Sequence, residues 1–220
     1  MNSVDRSVVL YGVESSYAAD MLESMHRAGI ELAASVITGE LEWDLEGVDS
    51  PFTEHIPAEF HGARCLVPWL TPGWRKQRVD RALASGLLLA DALVDATAVI
   101  PRALSIGEGS YINAGAVIGA QCDFGYCAMV GRNASIGHHS ILHDYVSVGP
   151  GVTIASKVIV LRGTLIGAGA SVAPDITIGS NSVVASGTSI FRDVPDNVLA
   201  VGNPAMIVKT GIKGFHGVGV

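Results

Sequence analysis

Residues 133–149 read NASIGHHSILHDYVSVG, with His138 and His139 adjacent and His143 five residues after the first. Imidazole is the one side chain whose ordinary pKa lies near neutrality. It therefore suits two kinds of chemistry, proton transfer at a reacting group and ligation of a metal ion. Three clustered histidines raise a zinc set, which is built from His, Cys and carboxylate ligands. One histidine acting as a base is the second reading, and solvent-facing surface residues are the third. The choice depends on which side chains the backbone can bring together.

The backbone is legible from a repeat. Counted in sixes from Val94, the first position is Val94, Ile100, Ile106, Ile112, Ile118, Phe124, Val130, Ile136, Leu142, Val148, Ile154, Val160, Ile166, Val172, Ile178, Val184 and Ile190. Seventeen hexads run without an insertion. The second position is often Gly (107, 119, 125, 131, 137, 149, 167 and 179), and the fifth is mostly small, as in Ser110, Ala116, Ala134, Ser140 and Ser182. A period of six fits neither an amphipathic helix nor strand alternation. It fits a parallel β-helix in which each hexad is a short strand plus a corner, three to a turn. The aliphatics fill the interior, the small residues pack beside the corners, and glycine is expected to tolerate an unusual corner backbone.

Composition narrows the partners. The net charge is −7 and 16% of the 220 residues are charged, with no basic cluster to neutralise a run of phosphates, so nucleic acid is not an expected partner. Mean hydropathy is high, at +0.40. The most apolar stretch, LLLADALVDATAVI at 87–100, is broken by Asp91 and Asp95 and is too short to cross a bilayer. The start, MNSVDRSVVLYG, has no basic and apolar regions of a signal peptide, and three cysteines fit a reducing compartment, so a cytoplasmic protein is expected. Flat apolar faces on a prism that oligomerises would absorb the excess hydrophobicity.

Ahead of the repeat, SVVLYGV at 7–13 reads as a buried strand, and ESSYAADMLESMHRAG as a helix stopped by Gly29. ELAASVI at 31–37 and RCLVPWL at 64–70 read as further strands, and 71–86 as a helix opened by Thr71 and Pro72. The fold class is therefore an α/β, Rossmann-like N-terminal subdomain followed by a parallel β-helix. The boundaries are 1–92, 93–195 for the hexads, and 196–220 for a cap and a Gly-rich tail expected to fray past Lys209.

The hexads, with DVPDNVLAVGNPAMIVK at 193–209, resemble the hexapeptide-repeat, left-handed β-helix acyltransferases. The N-terminal order resembles the sialic-acid and bacillosamine type, which acts on sugars. The resemblance implies a homotrimer with active sites between prisms, acetyl-CoA as co-substrate, no metal, and a sugar or sugar-nucleotide acceptor used in polysaccharide biosynthesis. It makes His138 the general base. Gly12 and Val13 of Gly12-Val13-Glu14-Ser15-Ser16, together with Asn113 and His139, are acceptor contacts. That loop has one glycine where relatives have several, and it carries a carboxylate where a pyrophosphate would want bare N–H groups. A domain that only shapes the acceptor site is therefore the alternative to nucleotide binding. The resemblance also places coenzyme A in an inter-subunit groove beside Ser147, Ser156, Ala168 and Ser186, with Lys157, Arg162 and Lys209 as candidate phosphate partners.

IGHHSILHDY also resembles the histidine stretch of gamma-class carbonic anhydrases, in which His138 and His143 would be zinc ligands shared across subunits. The third ligand should fall one turn from His143, where the sequence has Gly125. Adjacent hexads lie on different faces, so the three histidines cannot converge within one chain. A third class is a trimeric scaffold without chemistry. The reading that takes in most of the residues is an acetyl-CoA:sugar O- or N-acetyltransferase.

Overall fold

The computed structural model describes residues 7–40, 52–53 and 56–220; the first six residues of the N-terminal domain, and 41–51 with 54–55, lie outside the described residues. The N-terminal part contains β1 (Ser7–Tyr11), α1 (Tyr17–Ala28), β2 (Glu31–Ile37), β3 (Phe52–Thr53), β4 (Arg64–Leu66), α2 (Pro72–Ala84) and β5 (Leu88–Leu89). Its strands are parallel, in the order β3-β2-β1-β4-β5. Buried on both faces, β1 has the continuous apolar run that such a central strand requires. α1 ends where Gly29 adopts a left-handed φ of 66° and its N–H caps the last turn. The strand expected over 64–70 stops at Leu66, just before Pro68, which has no N–H to give a ladder.

From Leu93 to Ile190 the hexads make two-residue strands, except at Val99, which forms only an isolated bridge, and strands 18 residues apart pair in parallel, as Ser135 does with Thr153 and Ile141 with Ile159. Three sheets result, closing a three-sided column. The inward residues from Ile112 to Ile190 form one buried cluster with fifth-position residues such as Ala116, Ala134 and Val158. At three of the fifth-position Ser and Thr residues the hydroxyl donates to the carbonyl fifteen residues on: Ser110 to Gly125, Ser140 to Ala155, Thr164 to Gly179. A buried hydroxyl is thus satisfied within the repeat.

The corner chemistry differs from expectation. Left-handed φ falls on the fourth position, not the second, and includes non-glycine residues such as Gln121, Cys127, Asn133, His139 and Tyr145. The second-position glycines are needed for space. A Cβ on Gly119 would lie 2.5 Å from the His138 nitrogen, and one on Gly137 2.6 Å from Ala155 and Ser156 backbone atoms. Stacked coils leave no room there for a side chain.

One face of the column is covered. Its outward residues Tyr111, Met129, Ser147, Leu165 and Val183 are buried. α1 packs Met21 and Met25 in one cluster with Leu93, Tyr111 and Met129, while the α2 side joins Cys127 and Tyr145. A second face shows Ser135, Thr153 and Ser171 to solvent, and a third shows Asp123 with half-buried Ile141 and Ile159. The column ends in Val198–Val201, which extends the covered sheet, and Met206–Thr210, its antiparallel edge.

The tail past Lys209 is not frayed. The His216 ring stacks on Trp74 at 4.8 Å and 5°, Val220 N–H donates to Asn181 Oδ1 at 2.8 Å, and the Val218 carbonyl sits where a Cβ on Gly73 would be. Left-handed glycines at 211, 214 and 217 let the chain turn back onto α2.

Candidate active site

His138 and His139 stand at the corner between the second and third faces, after strand Ser135–Ile136. Their backbone is clamped by neighbouring coils: His139 N–H donates to the Ala120 carbonyl at 3.0 Å, and the His138 carbonyl accepts from Lys157 N–H at 2.9 Å. Both rings are exposed. They lie edge to face, centroids 4.9 Å apart, with the two Nδ1 atoms 2.8 Å from each other. At that distance one Nδ1–H donates to the other Nδ1, and each ring keeps its Nε2 for other work. The left-handed backbone of His139, at φ 61°, turns its side chain back onto its neighbour.

His143 lies beyond the next strand, at the far end of the third face, and is exposed. Among the described residues no group of three His, Cys, Asp or Glu side chains converges to hold a metal. Asp144 is occupied locally, its carboxylate accepting Tyr126 N–H at 2.9 Å.

The proposed donor residues divide. Ser156 follows His138 by 18 residues, on the same edge and one coil along. Ala168 and Ser186, also 18 apart and both exposed, occupy the edge between the covered and second faces. Ser147 is a correction. It is fully buried, donates to the Leu70 carbonyl at 2.5 Å and accepts from Arg75 Nη2 at 2.9 Å, so its hydroxyl belongs to the seam between α2 and the column rather than to an open groove. It points outward from its strand, as the repeat requires, and the N-terminal domain covers that face.

Asn113 is also buried and used. Its Nδ2 donates to Asp20 of α1 at 3.2 Å and its Oδ1 accepts Ala114 N–H at 2.7 Å. Gly12 accepts from Trp69 Nε1 at 2.8 Å through its carbonyl, and Val13 is fully buried. Arg162 and Lys157 are exposed on the coils and Lys209 on the edge strand.

Sequence reading passed over Arg75. It is fully buried and gives its guanidinium to the carbonyls of Cys127, Trp69, Leu70, Tyr145 and Val146, as well as to Ser147. Burial pulls it down to about 10, and it still carries its charge at neutral pH. The signal was available: Arg75, Val79 and Ala82 share the buried face of α2 at helical spacing. Asp95 makes a parallel tie to α1, accepting from Ser24 and from Arg27 Nε and Nη2 at 2.5, 2.9 and 2.7 Å.

Solved structures similar to this one include sugar acetyltransferases. The family model described as bacterial transferase hexapeptide (six repeats) matches residues 157–192. No curated protein sequence matches the chain. Among solved structures, a histidine-to-asparagine mutant of perosamine N-acetyltransferase from Caulobacter crescentus, in complex with CoA and GDP-perosamine, is similar at 26% identity. Its TM-score is 0.84, over 94% of this chain and 98% of that one. The acetyltransferase domain of PglB from Neisseria gonorrhoeae FA1090, in complex with acetyl coenzyme A, has a TM-score of 0.82 at 22% identity, over 93% and 100% of the two chains. WeeI from Acinetobacter baumannii AYE has 0.79 at 22%, over 91% and 99%. The last two speak for the fold alone. With its six-residue repeat and its three-sided parallel column, the chain has a hexapeptide-repeat β-helix fold, and it is similar to acetyltransferases built in the same way.

Proposed function

We propose that this protein transfers the acetyl group of acetyl-CoA to an amine or hydroxyl of a sugar, with His138 as general base. The observation that carries the reading is the exposed His138 ring on a clamped corner, in a chain built like an enzyme whose structure was solved with CoA, a GDP-sugar and a replaced histidine. In the tautomer that makes it a base, His138 donates its Nδ1–H to His139 Nδ1 and keeps the Nε2 lone pair free. Nε2 takes the proton of the acceptor N–H or O–H as the freed lone pair forms a bond to the thioester carbon. The tetrahedral adduct collapses with loss of the CoA thiolate, which recovers the proton from the imidazolium. A backbone N–H of a facing chain stabilises the oxyanion.

The working unit is a homotrimer. One chain holds His138 and Ser156 on one edge and Ala168 and Ser186 on another, with the second face between them. A second copy laid alongside brings one chain's histidine edge to the other's Ala168–Ser186 edge, and the donor lies in the crevice so made. Among the described residues no helix is long and apolar enough to cross a membrane. A cytoplasmic site of action matches the location of acetyl-CoA.

The test is His138→Ala in a free-thiol assay over a panel of amino and hydroxy sugars. The expected loss is roughly 10²–10⁴-fold in turnover, with acetyl-CoA still raising the melting temperature. Full activity in the variant refutes the mechanism. Stoichiometric zinc that is lost on His143→Ala would favour the carbonic-anhydrase-like reading instead.

A further inference from the structure

In an open parallel sheet a ligand binds outside the carboxyl ends of the strands, where the strand order reverses. Here that point lies between β1 and β4, because the chain runs outward from β1 to β2 and β3 and then returns to the other side. An anionic handle, such as a nucleoside diphosphate, would need bare N–H groups there, from the loop after β1 and the first turn of α1.

Most of the loop's donors are already spent. Gly12 and Val13 N–H both donate to the Val36 carbonyl, at 2.8 and 3.1 Å. Ser15 N–H donates to Gly12, Ala18 N–H to the Ser15 carbonyl, and Tyr17 N–H to Ser15 Oγ. The Glu14 carboxylate is itself buried at the crevice, where it accepts from Thr38 N–H at 3.1 Å, Thr38 Oγ1 at 2.5 Å, and Arg78 Nε and Nη2 at 3.2 and 3.0 Å. Arg78 then lies 3.6 Å over the Trp69 ring, and Trp69 caps the Gly12 carbonyl. Gly12 has a left-handed φ of 89°, and a Cβ there would come within 2.8 Å of Trp69 and 2.9 Å of Arg78, so the turn and the side chains packed on it already account for the glycine.

We infer that Glu14 is a specificity-determining residue: its carboxylate occupies the anion position of the crevice, and the acceptor is a sugar without a nucleoside-diphosphate handle. Burial raises the Glu14 carboxyl, but Thr38 and Arg78 outweigh it and hold the group below its ordinary value, so it is an anion at neutral pH and repels another. The inference rests on the acyl-transfer reading for the word acceptor, while the binding claim stands apart from it.

The experiment is thermal-shift and calorimetric titration of the full chain with GDP, UDP and acetyl-CoA, on wild type and Glu14→Gly. Wild type should be stabilised by acetyl-CoA and unmoved by either nucleotide up to about 1 mM. Glu14→Gly frees Thr38 N–H, Thr38 Oγ1 and Arg78, and should gain at least about tenfold in nucleotide affinity. A wild-type Kd for GDP or UDP below about 0.1 mM overturns the inference. So does a folded Glu14→Gly protein that gains nothing. Should the variant fail to fold, the wild-type arm decides alone. Failure of acetyl-CoA to stabilise wild type counts against the transferase reading and leaves the nucleotide arm readable.

Discussion

A histidine acting as a base works best when a neighbour fixes its tautomer and aims its ring. A carboxylate would do this with charge. The residue after His138 is a second imidazole, 2.8 Å away, Nδ1 to Nδ1. It can orient the ring as an acceptor, and it shares the proton gained during attack without cancelling its charge. On this reading His139→Ala loosens the base and lowers kcat by roughly 10- to 100-fold. The KM for acetyl-CoA should be unchanged, and His139→Asn, which keeps an acceptor, should recover part of the loss. A KM effect alone would place His139 against the acceptor instead. His138 stands out in the sequence as one of three clustered histidines, and it is the resemblance that marks it as the base. The partner could not, since adjacency says nothing about ring orientation until the left-handed φ at the fourth position of the hexad is known.

Elements meet here through polar seams. α1 is tied to the first coils by Asp95 with Ser24, Arg27 and Thr97, and by Asp20 with Asn113 and Arg132; α2 is tied to the later ones by Arg75. Asp95 is buried, which raises its carboxyl, yet its hydrogen bonds to Arg27, Ser24 and Thr97 outweigh burial and hold it well below the usual carboxylate range. Its contribution is therefore complete above the unfolded-state value of about 3.9 and is lost as pH falls through the folded-state value. Wild type should lose stability steeply below about pH 4, and Asp95→Asn should be less stable at neutral pH with a flatter acid limb, both read from urea melts at stepped pH. A wild-type acid limb in the Asp95→Asn protein would show that the seam does not depend on this charge. These seams escaped sequence reading. They join residues from 52 to 112 positions apart, and nothing in a hexad reveals which of its faces another domain will cover. That is why Ser147 read as groove-lining and proved interfacial.

At the scale of the molecule, six-residue periodicity was enough to give the column, its three sheets and its interior from Ile112 to Ile190, while Ile100, near the open end, is exposed rather than interior. The N-terminal order of strands and helices was also legible, from apolar runs, Pro72 and Gly29. The docked tail was not, because a stretch rich in glycine looks flexible until its partners, Trp74 and Asn181, are seen. Two faces of the column stay uncovered in a single chain, and the second, with outward Thr153 and Ser171 one coil apart, lies between the two edges of the proposed crevice. Thr153→Glu with Ser171→Glu should turn the proposed trimer into a monomer in light scattering and abolish transfer, while the circular dichroism of the column persists; an unchanged mass would place the subunit contact elsewhere. The uninterrupted 18-residue register has one more consequence. Length along this axis comes only in whole steps of about 4.8 Å, one strand spacing each. Evolution or an engineer can lengthen or shorten the molecule by a complete storey without disturbing the floors above and below. The reach from the imidazole to the far end of a bound pantetheine is thus set by counting storeys, and a loss of any other number of residues would misalign every one that follows.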